Sequence, residues 1–230
     1  MLDDAECALD IGAHIGYVTG LMAARVGKKG KVIAFEPHPV IFQELRRNVA
    51  RWEAAALVGE IALYNVAVSD ASGPGILRVP TDWQANRGVA SVVTGGRVVG
   101  QGEEQCAVRL DRLDDLLEKD VCVGVAKLDV EGHESAVLRG AEGLLRRRAI
   151  RDIIFEDFGC YPTEAMLLLE RFGYKLFSLA KGLFGPRLCA ADRTGARPWD
   201  EPNYLATLDP RRAIDRMRKR GWAVLGRAGS

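Results

Sequence analysis

The sequence predicts an α/β fold: a mostly parallel sheet with helices on both faces. Three observations predict it. Short apolar runs alternate with stretches of helical period from the first residues onward. The runs are apolar almost throughout, as strands covered on both faces are. The first run ends in a glycine-rich turn that opens a helix, the β–α bend on which such sheets are built.

The elements follow in order. Residues 7–11 (Cys7-Ala8-Leu9-Asp10-Ile11) form a first buried strand, and residues 16–26 a helix. Residues 31–36 make a second strand, stopped by Pro37. In 40–52, Ile41, Leu45, Val49 and Trp52 recur on one face of a second helix. Residues 63–68 read as a third strand. Residues 71–109 are rich in glycine and short alternating runs, and read as a hairpin-rich insertion with loops. Such a segment either shapes a substrate site or is a surface hairpin without function. The alternation then resumes: a short helix at 111–118 with Asp111 as its N-cap, an apolar strand at 121–128 interrupted only by Lys127, and a helix at 134–148. A strand at 152–155, a helix at 163–172 ended by Gly173, and closing strands at 174–179 and 204–208 complete the domain, 1–208. Residues 209–230 read as a basic C-terminal helix or tail.

Composition narrows the partners. The 230 residues suit one domain, 48% hydrophobic and 27% charged, with a sizeable core. A formal net charge of +1 gives no electrostatic reason to expect nucleic acid. The basic clusters at 146–148 and 211–220 read as solvated helix faces rather than a polyanion or membrane contact. The five cysteines form no CxxC pair, and their odd number argues against a closed disulfide framework. With no signal-peptide pattern after Met1 and no segment of membrane-spanning length, the chain is expected in the cytoplasm. Four tryptophans, Trp52, Trp83, Trp199 and Trp222, are too far apart in sequence to suggest a stacking box, although Trp83 falls in the insertion.

The chemistry concentrates at the strand ends. Asp10-Ile11-Gly12-Ala13-His14-Ile15-Gly16 lies where the first strand turns into a helix, whose N-terminus offers free N–H groups and the positive dipole end. A dinucleotide fingerprint has glycine where Asp10 stands, so a pyrophosphate would meet a carboxylate there. The pattern favours a ligand with an amino-acid end, its carboxylate on the amides and its ammonium on Asp10 or a nearby carbonyl. Glu36 ends the second strand, where Rossmann-like folds place an acid on ribose hydroxyls. Asp70, after Ala67-Val68-Ser69, either accepts from an adenine amino group or starts a turn. Asp129, Glu131 and His133 fall within Lys127-Leu128-Asp129-Val130-Glu131-Gly132-His133-Glu134, at the switch point where a reactive group belongs. Glu134 suits a helix first turn, and His133 is either a site or a surface residue. Glu156 and Asp157 extend the acidic rim. Asp129, Glu156 and Asp157 are an alternative Mg²⁺ set.

These residues together resemble the FkbM-type methyltransferase family. The match runs through Leu9-Asp10-Ile11-Gly12-Ala13-His14-Ile15-Gly16-Tyr17, Val32-Ile33-Ala34-Phe35-Glu36-Pro37 and Asn65-Val66-Ala67-Val68-Ser69-Asp70. It continues through Arg109-Leu110-Asp111-Arg112-Leu113-Asp114 to the 127–134 block with Val137-Leu138-Arg139-Gly140-Ala141, then Phe155-Glu156 and Asn203-Tyr204-Leu205. The resemblance implies a class I fold with seven strands, the last antiparallel, and S-adenosylmethionine as methyl donor. It implies mostly O-methylation, often of natural products or sugars. The donor residues would be Asp10, Gly12, His14, Gly16, Tyr17, Glu36, Ala67, Val68, Asp70 and Asp129, and the catalytic ones Asp129, Glu131 and His133. Members usually have asparagine where His14 stands, and commonly carry a segment before the first strand that helps cover the site. Methylation of nitrogen or a carboxylate, a nicotinamide-dependent oxidoreductase and a non-catalytic donor-binding module are the alternatives on the same scaffold.

Overall fold

The computed structural model describes residues 1–55, 58–80, 91–93, 103–159, 161–182, 185–192 and 202–218. Cys160, Trp83, Trp199, Trp222 and the end of the basic tail lie outside them. An eight-stranded sheet runs through the molecule. Its parallel half holds β1 (Cys7–Ile11), β2 (Lys31–Phe35), β3 (Glu60–Tyr64), β8 (Val123–Leu128) and β9 (Ile150–Glu156). The other strands are β10 (Lys175–Gly182), β11 (Gly185–Ala190) and β12 (Asn203–Thr207), in the order β11-β10-β12-β9-β8-β1-β2-β3. The last strand, β12, runs antiparallel to both β9 and β10. The count of seven is corrected to eight: β11 folds back on β10 as an antiparallel edge strand.

The third expected strand is divided between two sheets. Its first part is β3, parallel to β2. At Asn65 the side-chain amide donates to the carbonyls of Glu36 and Pro37, 2.8 and 2.9 Å away. The chain then leaves the main sheet. Ala67–Val68 (β4) pairs with β7 (Glu103–Asp111) in a second sheet, completed by β5 (Gly73–Pro80) and β6 (Ser91–Val93) in the order β4-β7-β5-β6. Leu77, Val79, Val108 and Leu110 give this sheet its own small core with Ala67.

The helices are α1 (Tyr17–Val26), α2 (Pro39–Ala54), α3 (Leu113–Leu116), α4 (Glu134–Arg139), α5 (Glu142–Arg146), α6 (Glu164–Arg171) and α7 (Pro210–Met217). Two expectations change here. Asp111 is not an N-cap: it ends β7 and pairs with Arg109, and Arg112 precedes α3. The helix expected over 134–148 is broken into α4 and α5 at Gly140. A Cβ on Gly140 would lie 1.9 Å from the Ser69 carbonyl oxygen, so glycine lets the helix end press onto the segment after β4. The Asp114 carboxylate then accepts from the N–H groups of Gly143 and Leu144, at 2.8 and 2.9 Å, starting α5 afresh.

The main core lies where β1, β8 and β9 meet α4, α5 and α6, with Leu9, Leu138, Leu144, Ile153 and Leu169 at 0–2% exposure. The basic helix α7 is not merely a solvated face. Arg212 reaches Asp3 at 2.7 Å and the fully buried Asp152 at 3.2 Å, and Arg216 also pairs with Asp3. These contacts sit at the amino edge of the parallel strands, away from the cavity described below. No helix among the described residues is long and apolar enough to cross a membrane.

Candidate functional site

A cavity of about 360 Å³ opens at the carboxyl edge of β1, β2 and β8. Its position follows from topology: β1 and β8 diverge here to feed helices on opposite faces, leaving a crevice outside the strand ends. Gly12, His14, Tyr17, Glu36, His38, Ala67, Val68, Leu77, Lys127, Asp129, Glu131, His133 and Glu156 contribute to its wall. The cavity therefore touches both sheets, since Ala67, Val68, Leu77 and Val92 come from the smaller one.

The β1–α1 bend forms one wall. Gly12 has φ +79°, and a Cβ there would stand 1.9 Å from the Asp129 carbonyl oxygen. Only glycine allows that backbone against the β8 loop. Gly16 precedes α1, and Tyr17, 74% exposed, stands at the cavity mouth.

Glu36 is the best-defined acid of the site. It is 6% exposed, and its two carboxylate oxygens each accept one backbone N–H, from His14 and His38, both at 2.8 Å. Burial pushes its pKa up to about 7, against the pull of those two N–H groups. The carboxylate is thus fixed in direction while retaining lone pairs for a ligand. His38, which the sequence reading passed over, caps α2: its Nδ1 accepts from Val40 N–H at 3.2 Å and Ile41 N–H at 3.5 Å.

Asp10 is engaged by other residues of the chain. It is fully buried and is not part of the cavity wall. Its carboxylate accepts from Thr19 Oγ1 at 2.6 Å and pairs with Lys127 Nζ at 3.4 Å. Lys127 also donates to the Gly12 carbonyl at 2.8 Å and pairs with Asp129 at 3.1 Å. A cation of the chain itself, the Lys127 ammonium, thus pairs with the carboxylate expected to meet a ligand's ammonium. The signal for Lys127 was visible as the lone charge in an apolar strand, but two of its three partners, Asp10 and Gly12, lie more than a hundred residues earlier.

Asp70 does not line the cavity. Burial alone would raise its pKa, but the Arg139 guanidinium, 3.0 Å away, holds it below the usual carboxylate range. Asp70, expected either to contact an adenine amino group or to start a turn, is engaged in this ion pair. The alternative metal set does not assemble either. Asp129 and Glu156 face the cavity, but Asp157 accepts from Gly159 N–H at 2.8 Å and Thr163 Oγ1 at 2.5 Å within its own loop. No cluster of three or more His, Cys, Asp or Glu that could hold a metal occurs among the described residues.

The β8 loop carries the remaining candidates. Glu131 has φ +50° and lines the cavity beside Asp129. His133 is a buried wall residue, 7% exposed, and not a surface histidine. Its Nε2 lies 2.9 Å from Ser69 Oγ, and burial lowers its pKa, leaving a neutral imidazole at neutral pH. Glu134, also buried, turns back onto its own loop, where Gly132 N–H donates to it at 3.3 Å.

Comparison with solved structures finds the same fold. An FkbM methyltransferase from Methylobacillus flagellatus KT superposes with a TM-score of 0.51 at 19% identity, covering 89% of this chain and 44% of that one. This chain therefore spans less than half the length of that relative. An S-adenosylmethionine-dependent O-methyltransferase from Thermotoga maritima is also similar, with a TM-score of 0.47 at 15% identity, covering 89% of this chain and 60% of that one. No curated protein sequence matches. The family described as Methyltransferase FkbM domain matches residues 10–176, which hold the β1–α1 bend, Glu36 and the 127–134 block, and the chain belongs to it.

Proposed function

We propose that the chain moves a methyl group from S-adenosylmethionine to a hydroxyl of a small molecule, natural product or sugar. The observation that carries this reading is Glu36: a buried carboxylate held by two backbone N–H groups at the second strand end, with lone pairs left for a vicinal diol. The residues fit an adenosyl amino acid. Gly12 opens the bend, Ala67, Val68 and Leu77 supply an apolar wall, and about 360 Å³ falls in the range of small-ligand sites.

When bound, S-adenosylmethionine supplies an electrophilic methyl carbon on a sulfonium sulfur. The chain's residues orient and exclude water. Glu36 accepts from the ribose hydroxyls, and Lys127 fixes the Gly12 carbonyl and the Asp129 carboxylate around the bend. Asp129 lines the transfer site. Holding acceptor and methyl in line is worth roughly 7–11 kcal/mol. Glu131 or His133 takes the acceptor hydroxyl's proton as methyl transfer proceeds.

Two measurements test the reading. Calorimetry should show S-adenosylhomocysteine binding with NADH silent; the reverse order of affinity refutes the donor assignment. For the base, Glu131→Gln and His133→Ala are expected to keep S-adenosylhomocysteine affinity and at least one to lose turnover about 10²-fold or more. Near wild-type rates in both remove the base from these residues.

A further inference from the structure

Two histidines stand immediately before helices at this site, and they use their rings differently. His38 spends its Nδ1 capping α2. His133 precedes α4 but makes no side-chain cap bond, and its ring bonds Ser69 instead. Ser69 is fully buried and its backbone is pinned on two sides. Its N–H donates to the Asp111 carbonyl at 2.8 Å, and its carbonyl lies against Gly140. The Oγ therefore has a set position, between His133 Nε2 at 2.9 Å and Asp70 Oδ1 at 3.4 Å.

We propose that Ser69 is a positioning residue for His133, fixing its tautomer so that the unprotonated Nδ1 is the proton-accepting atom offered to the cavity. This rests on the reading of His133 as a base, given above. The hydroxyl has one proton and two candidate acceptors. If it donates to His133, the Asp70 oxygen loses its partner and one bond forms. If it donates to Asp70, the oxygen lone pair accepts from His133 Nε2–H and two bonds form. The ionised Asp70, held in place by Arg139, draws the proton its way by its charge, across a contact longer than an ordinary O–H···O bond. The second arrangement leaves Nδ1 bare. Asp70 and Arg139 are the charged groups bearing on the ring from the elements packed against it, with Glu131 and Glu134 flanking it on its own segment. Ser69 also joins the two sheets, since it follows β4 while His133 follows β8.

The experiment is long-range ¹H–¹⁵N correlation on protein labelled with ¹⁵N-histidine. Three histidines make the spectrum simple, and His133→Asn assigns the third set of signals. The expected result is an Nε2–H tautomer with Nδ1 at the unprotonated shift, titrating below an ordinary histidine. In Ser69→Ala the pKa should fall by about half a unit further, because the lost acceptor served the charged form best. Ser69→Thr should restore it. S-adenosylhomocysteine affinity should be unchanged in Ser69→Ala. An Nδ1–H tautomer in the unsubstituted protein overturns the proposal without any variant having to fold. So does a Ser69→Ala titration identical to the parent. These readouts do not depend on turnover, so they stand apart from the His133→Ala rate that tests the base itself.

Discussion

At the carboxyl edge of the main sheet Glu36 is buried with two backbone N–H groups as its hydrogen-bond donors, and burial raises its pKa to about 7. At the amino edge the carboxylates meet guanidinium groups. Asp3 is held at about 2 by Arg212 and Arg216 against the cost of burial, and the buried Asp152 sits between Arg151 at 2.9 Å and Arg212 at 3.2 Å. Both edges belong to one sheet and one core, yet one pairs its acids with guanidinium groups and the other leaves Glu36 short of an ion-pair partner among the described residues. The shortfall is where a ligand's hydroxyls gain most. An acid already neutralised by arginine has little left to offer.

The two edges are tested by changing their charges, beginning with the largest expected effect. Lys127→Met strands the fully buried Asp10, and should cost about 3–5 kcal/mol in urea unfolding. Adding Asp10→Asn should recover much of that loss; no recovery would mean the pair is not coupled. Glu36→Ala should weaken S-adenosylhomocysteine binding about 10–100-fold by calorimetry with the fold intact, the cost of losing one charged acceptor. Arg212→Ala should lower stability by about 1–3 kcal/mol, because the buried Asp152 loses one of its two guanidinium partners, while leaving that affinity alone. Asp3→Ala, at a partly exposed pair, should cost less than about 1 kcal/mol.

Acidity sharpens the same contrast, because the two edges respond with opposite sign. Glu36 has a raised pKa, so the native state binds more protons than the unfolded chain between about 4.5 and 7. Its contribution makes the free protein less stable as pH rises through that window. A ligand that needs the ionised form should lose about tenfold in affinity for each unit below 7. Asp3 has a lowered pKa, so its contribution is full above 3.8 and is lost as pH falls toward 2. Affinity for S-adenosylhomocysteine that is flat from pH 5.5 to 8 would contradict the ribose role of Glu36.

What the sequence made legible was local. The β1–α1 bend, Glu36 at the next strand end and most helices follow from periodicity and glycine placement over spans of a few dozen residues. What it hid depends on distant contacts. The split of the third strand depends on Asn65 reaching back to Glu36 and Pro37, and the break between α4 and α5 depends on Gly140 meeting Ser69. Asp10 and Asp70 were correctly seen as acids at strand ends. Their partners, Lys127 and Arg139, lie 117 and 69 residues away, and no local pattern distinguishes an acid paired within the chain from one awaiting a ligand. The strand β11 carries no clean alternation, and the basic face of α7 looks like any solvated face until its pairing with Asp3 and Asp152 is seen.

The backbone at His14 has φ +52°, and it is the main-chain N–H of this residue that grips Glu36. Histidine and asparagine are among the few side chains that enter the left-handed region readily. A change between histidine and asparagine at position 14 would therefore keep the amide that orients the acid. Position 14 separates two tasks in one residue: a fixed peptide group that aims the Glu36 carboxylate, and a side chain that forms part of the doorway.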